Sequence, residues 1–228
     1  MVNLPTLPGD VAVGAAVMLH GNGQSIPWLT VSAAGIASIA LYMFGLADND
    51  IVGAPSDRGR PIPSGEISLR AAAVARGLCI FAAMIIGAAA NLPPLWWMTV
   101  FALSVAVVAY NRTKWCWLMG ICRGLNVIGG AAALMAGGLG ALSMADGAWL
   151  AAIFAVWTIY FAIVTLYSEG EELDAEKKRH VGSMVGAVVY LQIMALIGFM
   201  VVPLLAVGGV MLIALRLAKR SFKEVSAS

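Results

Sequence analysis

Long apolar runs separated by short polar segments fill the chain from its first few residues to about residue 217. Most of these runs approach or exceed the roughly 20 residues that a helix needs to cross a hydrocarbon core about 30 Å thick. The pattern therefore predicts an all-α polytopic membrane protein with about eight transmembrane helices. The predicted spans are 5–20, 27–47, 69–90, 94–110, 118–141, 147–167, 181–199 and 203–217.

Composition agrees with this pattern. Of the 228 residues, 61% are hydrophobic and only 11% are charged, whereas about a quarter of the residues in a soluble domain are charged. The sequence reads as one transmembrane domain over residues 1–228, with a short tail at 217–228. The formal net charge is only +2, so the charge predicts no nucleic-acid partner. We expect the protein to be surrounded by membrane lipid.

The positions of the basic residues predict the orientation of the chain. All 14 Lys and Arg residues lie in or near the segments after the second, fourth and sixth spans, or in the C-terminal tail. The opposite connections, at 20–26, 91–94 and 143–146, contain none. Because basic loops stay on the cytoplasmic side, we expect an integral protein of the cell membrane with both termini and the charged loops facing the cytoplasm.

Two of the charged loops, 48–68 and 168–180, are long and acidic. They lie roughly 120 residues apart and follow the second and sixth spans. This spacing predicts two four-helix halves in parallel orientation around a central cavity. Both acidic loops would open on one face of the membrane and could serve the same site.

The first acidic loop combines oxygen ligands with guanidinium groups. Asn49, Asp50 and Asp57 supply amide and carboxylate oxygens, which Mg²⁺ prefers and which commonly bridge through the ion to substrate phosphates. Arg60 lies close by and can bind phosphate oxygens. A charged loop is also what a solvated connection requires, but the prolines within 60–65 stiffen this one. Stiffness favours a loop that holds a binding geometry.

The same segment resembles the first conserved loop of the UbiA superfamily of intramembrane prenyltransferases. The family pattern is N-D-x-x-D-x-x-x-D followed by R-P-x-P-S-G. Asn49, Asp50 and Asp57 match it, Gly53 stands in place of the middle acid, and residues 60–65 match fully.

Further motifs follow in the family's order. Residues 110–114 (YNRTK) resemble its Tyr-x-x-x-Lys element, and residues 119–126 (MGICRGLN) are similar to a stretch of the EboC-like branch. The second acidic loop falls where the family has D-x-E-G-D. There Glu169 and Gly170 match, Glu171 replaces the last Asp, and Tyr167 stands at the first position.

The resemblance implies a Mg²⁺-dependent prenyltransferase. Such an enzyme moves a prenyl group from an isoprenoid diphosphate to a lipophilic or aromatic acceptor and releases pyrophosphate. The implied metal ligands are Asn49, Asp50, Asp57, Glu169 and Glu171.

The resemblance also implies roles for basic and polar residues. Arg60, Lys114, Arg123 and Asn126 would bind the diphosphate, and Asp50, Asp57 and Lys114 would be catalytic. Two alternatives stay open from the residues alone. Arg123 could extend to the membrane surface along its aliphatic stem, and Asn126 could be a polar contact between helices.

A second function is compatible with the same motifs. Gly53 and Tyr167 each remove one acidic ligand that the family pattern contains. A chain with fewer acids could be a non-catalytic, EboC-like membrane protein that binds or translocates a lipid-like precursor.

Overall fold

The computed structural model describes residues 6–20, 25–55, 61–135, 142–168, 175–199 and 201–225. Within these ranges the chain forms eight α-helices, with a short 3₁₀ turn, Val202–Leu204, before the last one. The predicted all-α bundle is confirmed. The helices are α1 (Leu7–Leu19), α2 (Trp28–Gly53), α3 (Leu69–Ala89), α4 (Pro94–Thr113), α5 (Cys116–Ala132), α6 (Met144–Ser168), α7 (Ala175–Gly198) and α8 (Leu205–Val225).

Three helices continue beyond the predicted spans into polar sequence. Helix α2 runs to Gly53 instead of residue 47, and α7 begins at Ala175 instead of 181. Helix α8 runs to Val225, beyond the predicted span end at residue 217, so the part of the predicted tail that the structure describes is helical. Apolar content marks only the part of a helix that suits hydrocarbon, whereas Lys, Arg and Glu are good helix formers and let the helix continue.

In the part of the chain that the structure describes, five helical segments are long and apolar enough to cross a membrane: α2, α3, α4, α6 and Arg179–Gly198 within α7. Three apolar helices are shorter, namely α1, α5 and Leu205–Ala214 within α8. With a rise of 1.5 Å per residue, the 13 residues of α1 span about 20 Å. Every residue of α1 except Pro8 is buried, so this helix is enclosed by its neighbours.

In the middle of the bundle, α1 packs against α5. These are the first helices of the two predicted halves. Gly14 faces the carbonyl of Val127, and Gly130 faces the carbonyl of Val11, so the two backbones touch. One apolar core joins α1 and α5 to α6, α7 and the start of α8. A second core joins α5 to α2, α3 and α4.

The packing of α5 against α6 fixes which helix ends lie together. Gly120 lies against Thr158, and Gly124 lies against Phe154, so the two helices are antiparallel. Ser168, the last residue of α6, is therefore at the same end of the bundle as the start of α5. We call this end, where α2, α4 and α6 finish and α5 and α7 begin, the motif end.

Candidate functional site

The motif end brings part of the first predicted loop against the end of α4. The Lys114 ammonium donates a hydrogen bond to the side-chain oxygen of Asn49 and lies 5.3 Å from the centroid of the Tyr110 ring. Lys114 ends α4 in a left-handed conformation, with φ of 54°. Asp50 follows Asn49 on the same turn of α2, and both side chains are half-buried. The two sequence motifs therefore meet in space.

A buried carboxylate supports this turn from beneath. Asp48 is 1% exposed and accepts hydrogen bonds from Arg76 at 3.0 Å and from Asn111 at 2.9 Å. Asn111 also donates to the Gly45 carbonyl at 3.0 Å. These contacts tie the end of α2 to α3 and α4. Sequence reasoning assigned Asp48 no role, because its partners lie 28 and 63 positions away along the chain.

Four of the predicted site residues, Asp57, Arg60, Glu169 and Glu171, lie outside the described residues. Their assignment stays a prediction. The described residues that flank the second acidic loop, Ser168 and Ala175, are the end of α6 and the start of α7. Among the residues that the structure describes, no group of three or more His, Cys, Asp or Glu side chains could by itself hold a metal ion.

The donor chemistry of the described residues fits Mg²⁺. Asn49 and Asp50 offer an amide oxygen and a carboxylate, the hard oxygen ligands that Mg²⁺ takes, usually with water and substrate phosphate completing the shell. The neighbouring ammonium of Lys114 suits a phosphate oxygen. A diphosphate bound here would meet both kinds of partner.

Arg123 lies deeper in the bundle than a surface-reaching side chain would. It is seven residues into α5, about 10 Å along the axis, and only 5% exposed. Its Nη2 lies 3.0 Å from Asp10 Oδ2 and 2.8 Å from Thr6 Oγ1. The guanidinium also covers the ring of Phe161 at 4.6 Å. Arg123 therefore does not extend to the membrane surface, as one of the two interpretations from the sequence expected.

Asp10 is the centre of this buried cluster. It is fully buried, and besides Arg123 its carboxylate accepts hydrogen bonds from Trp157 at 2.9 Å, Gln192 at 2.5 Å and Asn126 at 3.3 Å. The cluster joins α1 to α5, α6 and α7. Lone charges of opposite sign in two apolar spans are the signal that could have predicted an Asp10–Arg123 pair.

Asn126 is also a contact between helices. Its amide nitrogen donates to the Leu7 carbonyl at 3.1 Å, and its oxygen accepts from Ser38 at 2.6 Å. Asn126 thereby links α5 to α1 and α2. The residues that resemble the EboC-like stretch, Arg123 and Asn126, face this internal cluster.

A cavity of about 60 Å³ lies beside Arg123. Tyr42 in its wall is seven residues before Asn49 on α2, so the cavity is about 10 Å below the motif end. Its wall comes from five helices. It consists of Leu7, Ser38, Leu41, Tyr42, Leu103, Val107, Cys122, Arg123, Asn126 and Phe161.

Comparison with known proteins gives a family and a fold. A family model described as the UbiA prenyltransferase family matches residues 11–220. The chain is also similar to the solved structure of a UbiA homolog from Archaeoglobus fulgidus bound to GPP and Mg²⁺. That likeness has a TM-score of 0.57 at 12% sequence identity, covers 98% of this chain and 84% of the other, and shows the shared fold. No curated protein shows a significant sequence match.

Proposed function

This chain belongs to the UbiA prenyltransferase family, and we propose that it is a Mg²⁺-dependent intramembrane prenyltransferase. It would move a prenyl group from an isoprenoid diphosphate to a lipophilic or aromatic acceptor and release pyrophosphate. The observation that carries this proposal is the contact of Asn49 with Lys114 beside Asp50 at the motif end. Oxygen ligands and a basic group there lie above an apolar interior.

The roles follow from the chemistry of each side chain. Asn49, Asp50 and Asp57 would hold one Mg²⁺, and Glu169 and Glu171 would hold a second. When bound, Mg²⁺ supplies positive charge that stabilises the departing pyrophosphate. Asp48, fixed by Arg76 and Asn111, positions the turn that carries the first ligands.

Lys114 and Arg60 would bind the diphosphate oxygens. Lys114 is exposed at the motif end and donates to the Asn49 side-chain oxygen, so its ammonium lies beside the first proposed metal ligands. As the bond between the allylic carbon and the diphosphate oxygen breaks, negative charge grows on the leaving group, and a fixed ammonium stabilises it.

We do not assign Arg123 and Asn126 to diphosphate binding. The charge of Arg123 is neutralised by Asp10 at 3.0 Å, and both amide hydrogens of Asn126 are donated within the bundle. Arg123 lies about 10 Å and Asn126 about 15 Å below the motif end. Their position suits the reacting end of an acceptor better than the diphosphate.

The apolar interior supports the reaction by excluding water. An allylic carbon that gains positive charge is captured by water if water is present, so a dry cavity favours transfer to the acceptor. The cavity below the motif end is walled mainly by apolar side chains such as Leu41, Leu103 and Val107. The prenyl tail, being hydrocarbon, prefers the adjoining lipid.

The second candidate is a non-catalytic, EboC-like protein that binds or translocates a lipid-like precursor. The substitutions Gly53 and Tyr167 favour it, because each removes an acidic ligand. Such a protein would also bind a diphosphate at the motif end but would not cleave it, so a turnover assay distinguishes the two functions.

The test is pyrophosphate release by the purified full chain supplied with geranylgeranyl diphosphate and a lipid extract as acceptor source, with Mg²⁺ or with EDTA. We expect release only with Mg²⁺, and a loss of about 100-fold or more in Asp50→Ala. Asp146→Ala is the matched control, because Asp146 is an acid at the first turn of α6, at the other end of the bundle. Pyrophosphate release that survives both EDTA and Asp50→Ala would refute the proposed Mg²⁺-dependent enzyme. Binding of the donor without pyrophosphate release would support the second candidate.

A further inference from the structure

Arg123 lines the cavity, and its side chain has a hydrogen-bond donor that is not used within the described part of the bundle. Among the described residues, the buried Nε of Arg123 has no hydrogen-bond partner, although Nη2 is fully engaged by Asp10 and Thr6. An unused N–H in an apolar interior is costly. A purely hydrocarbon occupant of this cavity would leave the Nε–H unpaired, whereas an oxygen atom would satisfy it.

The cavity also offers an acceptor. Ser38 lies in the same wall, and its proton is donated to the Asn126 oxygen at 2.6 Å. The Ser38 oxygen therefore presents lone pairs to an incoming group. A hydroxyl group can accept from Arg123 and donate to Ser38, while an ether oxygen can only accept.

Charge decides against an anionic occupant. Asp10 and Arg123 form a buried pair of zero net charge. A carboxylate or phosphate placed beside that pair would be a third buried charge without a counter-ion, which is strongly disfavoured. The group that fits is uncharged.

Size decides against a ring. An engineered protein cavity of about 150 Å³ holds benzene, whereas this cavity has about 60 Å³. A neighbouring space of about 10 Å³ shares Ser38, Leu41, Leu103 and Asn126 in its wall. Spaces of this volume suit the end of an unbranched chain better than a ring.

We propose that this cavity is the acceptor subsite and that it takes the uncharged hydroxyl end of a slim aliphatic, lipid-like alcohol. This inference rests on the proposed prenyl transfer and narrows its acceptor from lipophilic or aromatic compounds to aliphatic alcohols. Arg123 and Ser38 recognise the hydroxyl, and Asp10 makes the site selective by cancelling the charge of Arg123.

The test is binding of four probes to the purified full chain, measured by native mass spectrometry. The probes are 1-dodecanol, dodecyl methyl ether, dodecanoate and 4-octylphenol. We expect 1-dodecanol to bind at least tenfold more tightly than the other three. Equal binding of the four, or a preference for dodecanoate or the phenol, would overturn the proposal.

Two variants probe the recognition itself. Arg123→Lys keeps a cation beside Asp10 but lacks the Nε–H, and Ser38→Ala removes the acceptor. Each variant should bind 1-dodecanol about tenfold more weakly. Ser38→Ala should leave the binding of the methyl ether unchanged. Met98→Ala, on a surface position of α4 that is 67% exposed, is the control for non-specific uptake. Unchanged alcohol binding in Ser38→Ala, the milder of the two variants, would refute the site.

Pyrophosphate release measured on the same preparations separates this inference from the proposed function. Selective alcohol binding without Mg²⁺-dependent release would refute prenyl transfer and leave the alcohol site standing. Mg²⁺-dependent release without selectivity for the alcohol would refute the alcohol site alone.

Discussion

At the scale of single residues, the Asp10–Arg123 pair is the feature with the largest energetic consequences. Both side chains are buried, at 0% and 5% exposure, in the middle of an apolar bundle. Taking two charges from water costs several kcal/mol for each ion, and only close pairing with further hydrogen bonds offsets that cost. Trp157, Gln192 and Asn126 supply those bonds to Asp10.

Removing one member of this pair should be far worse than removing both charges. Arg123→Met leaves a buried carboxylate without its cation, so we expect a loss of about 3–5 kcal/mol in the free energy of unfolding. Adding Asp10→Asn should recover part of that loss, because the amide is neutral and its oxygen still accepts from Trp157 and Gln192. Denaturant unfolding in detergent measures both variants, and a double variant less stable than Arg123→Met would contradict this account.

Sequence and structure agree best where residues act through local spacing. The proximity of Asn49 and Lys114 could be predicted from the sequence, because each belongs to a motif that resembles the same family and both motifs are at the same membrane face. The partners of Asp48 and Asp10 were not foreseeable, because they depend on how helices far apart in the chain are packed. Gln192, for example, reaches Asp10 across 182 positions.

At the scale of helices, α1 and α5 depend on glycine for their contact. The backbone of each helix lies directly on the other at Gly14 and Gly130, where a β-carbon would collide with the carbonyls of Val127 and Val11. Helices in lipid gain no hydrophobic driving force from meeting, so close packing and polar contacts hold them together. The same contact keeps Asp10 of α1 opposite Arg123 of α5.

Alanine at either glycine should therefore disrupt the bundle. We expect Gly14→Ala and Gly130→Ala each to cost about 1–3 kcal/mol or more, because the obstacle is backbone that cannot rotate away. Gly77→Ala is the matched control: Gly77 lies in α3 with open space around it, so its change should be within about 1 kcal/mol and favourable. Thermal unfolding of the three variants in one detergent compares them, and equal losses would refute the close-packing argument.

The helices themselves were predictable and their ends were not. Apolar runs placed all eight helices, because a segment must be apolar to lie in hydrocarbon. The ends of α2, α7 and α8 lie in polar sequence, where hydropathy carries no information and helix continuation depends on propensity and neighbours. The extension of α2 matters for function, because it places Asp48, Asn49 and Asp50 on a helix instead of a loop.

At the scale of the whole molecule, the charges divide the bundle into two levels. The motif end carries Asp48, Asn49, Asp50 and Lys114, and the buried Asp10–Arg123 cluster lies about 10 Å further in. The cavity lies at the deeper level, with Arg123 and Asn126 in its wall. In the proposed function, the charged donor headgroup would bind at the motif end and the uncharged acceptor end would bind below it.

The distribution of Lys and Arg makes a prediction about the whole molecule in the membrane. Trp115, between α4 and α5, lies at the motif end, and Met144, which begins α6 and is 95% exposed, lies at the other. Because every basic residue lies in or near the segments on the motif side, that end should face the cytoplasm. Trp115→Cys and Met144→Cys place one thiol at each end without changing any charge.

The measurement is labelling by a membrane-impermeant maleimide in a background where Cys79, Cys116 and Cys122 are replaced. The helix α6 spans 25 residues, about 37 Å, so the two ends lie on opposite sides of the hydrocarbon core. Met144→Cys should be labelled from outside intact cells, and Trp115→Cys only in inverted vesicles, while the cysteine-free parent stays unlabelled. Labelling of both positions from one side would contradict the antiparallel arrangement of α5 and α6. A reversed pattern would contradict the predicted orientation and place the proposed diphosphate site outside the cell.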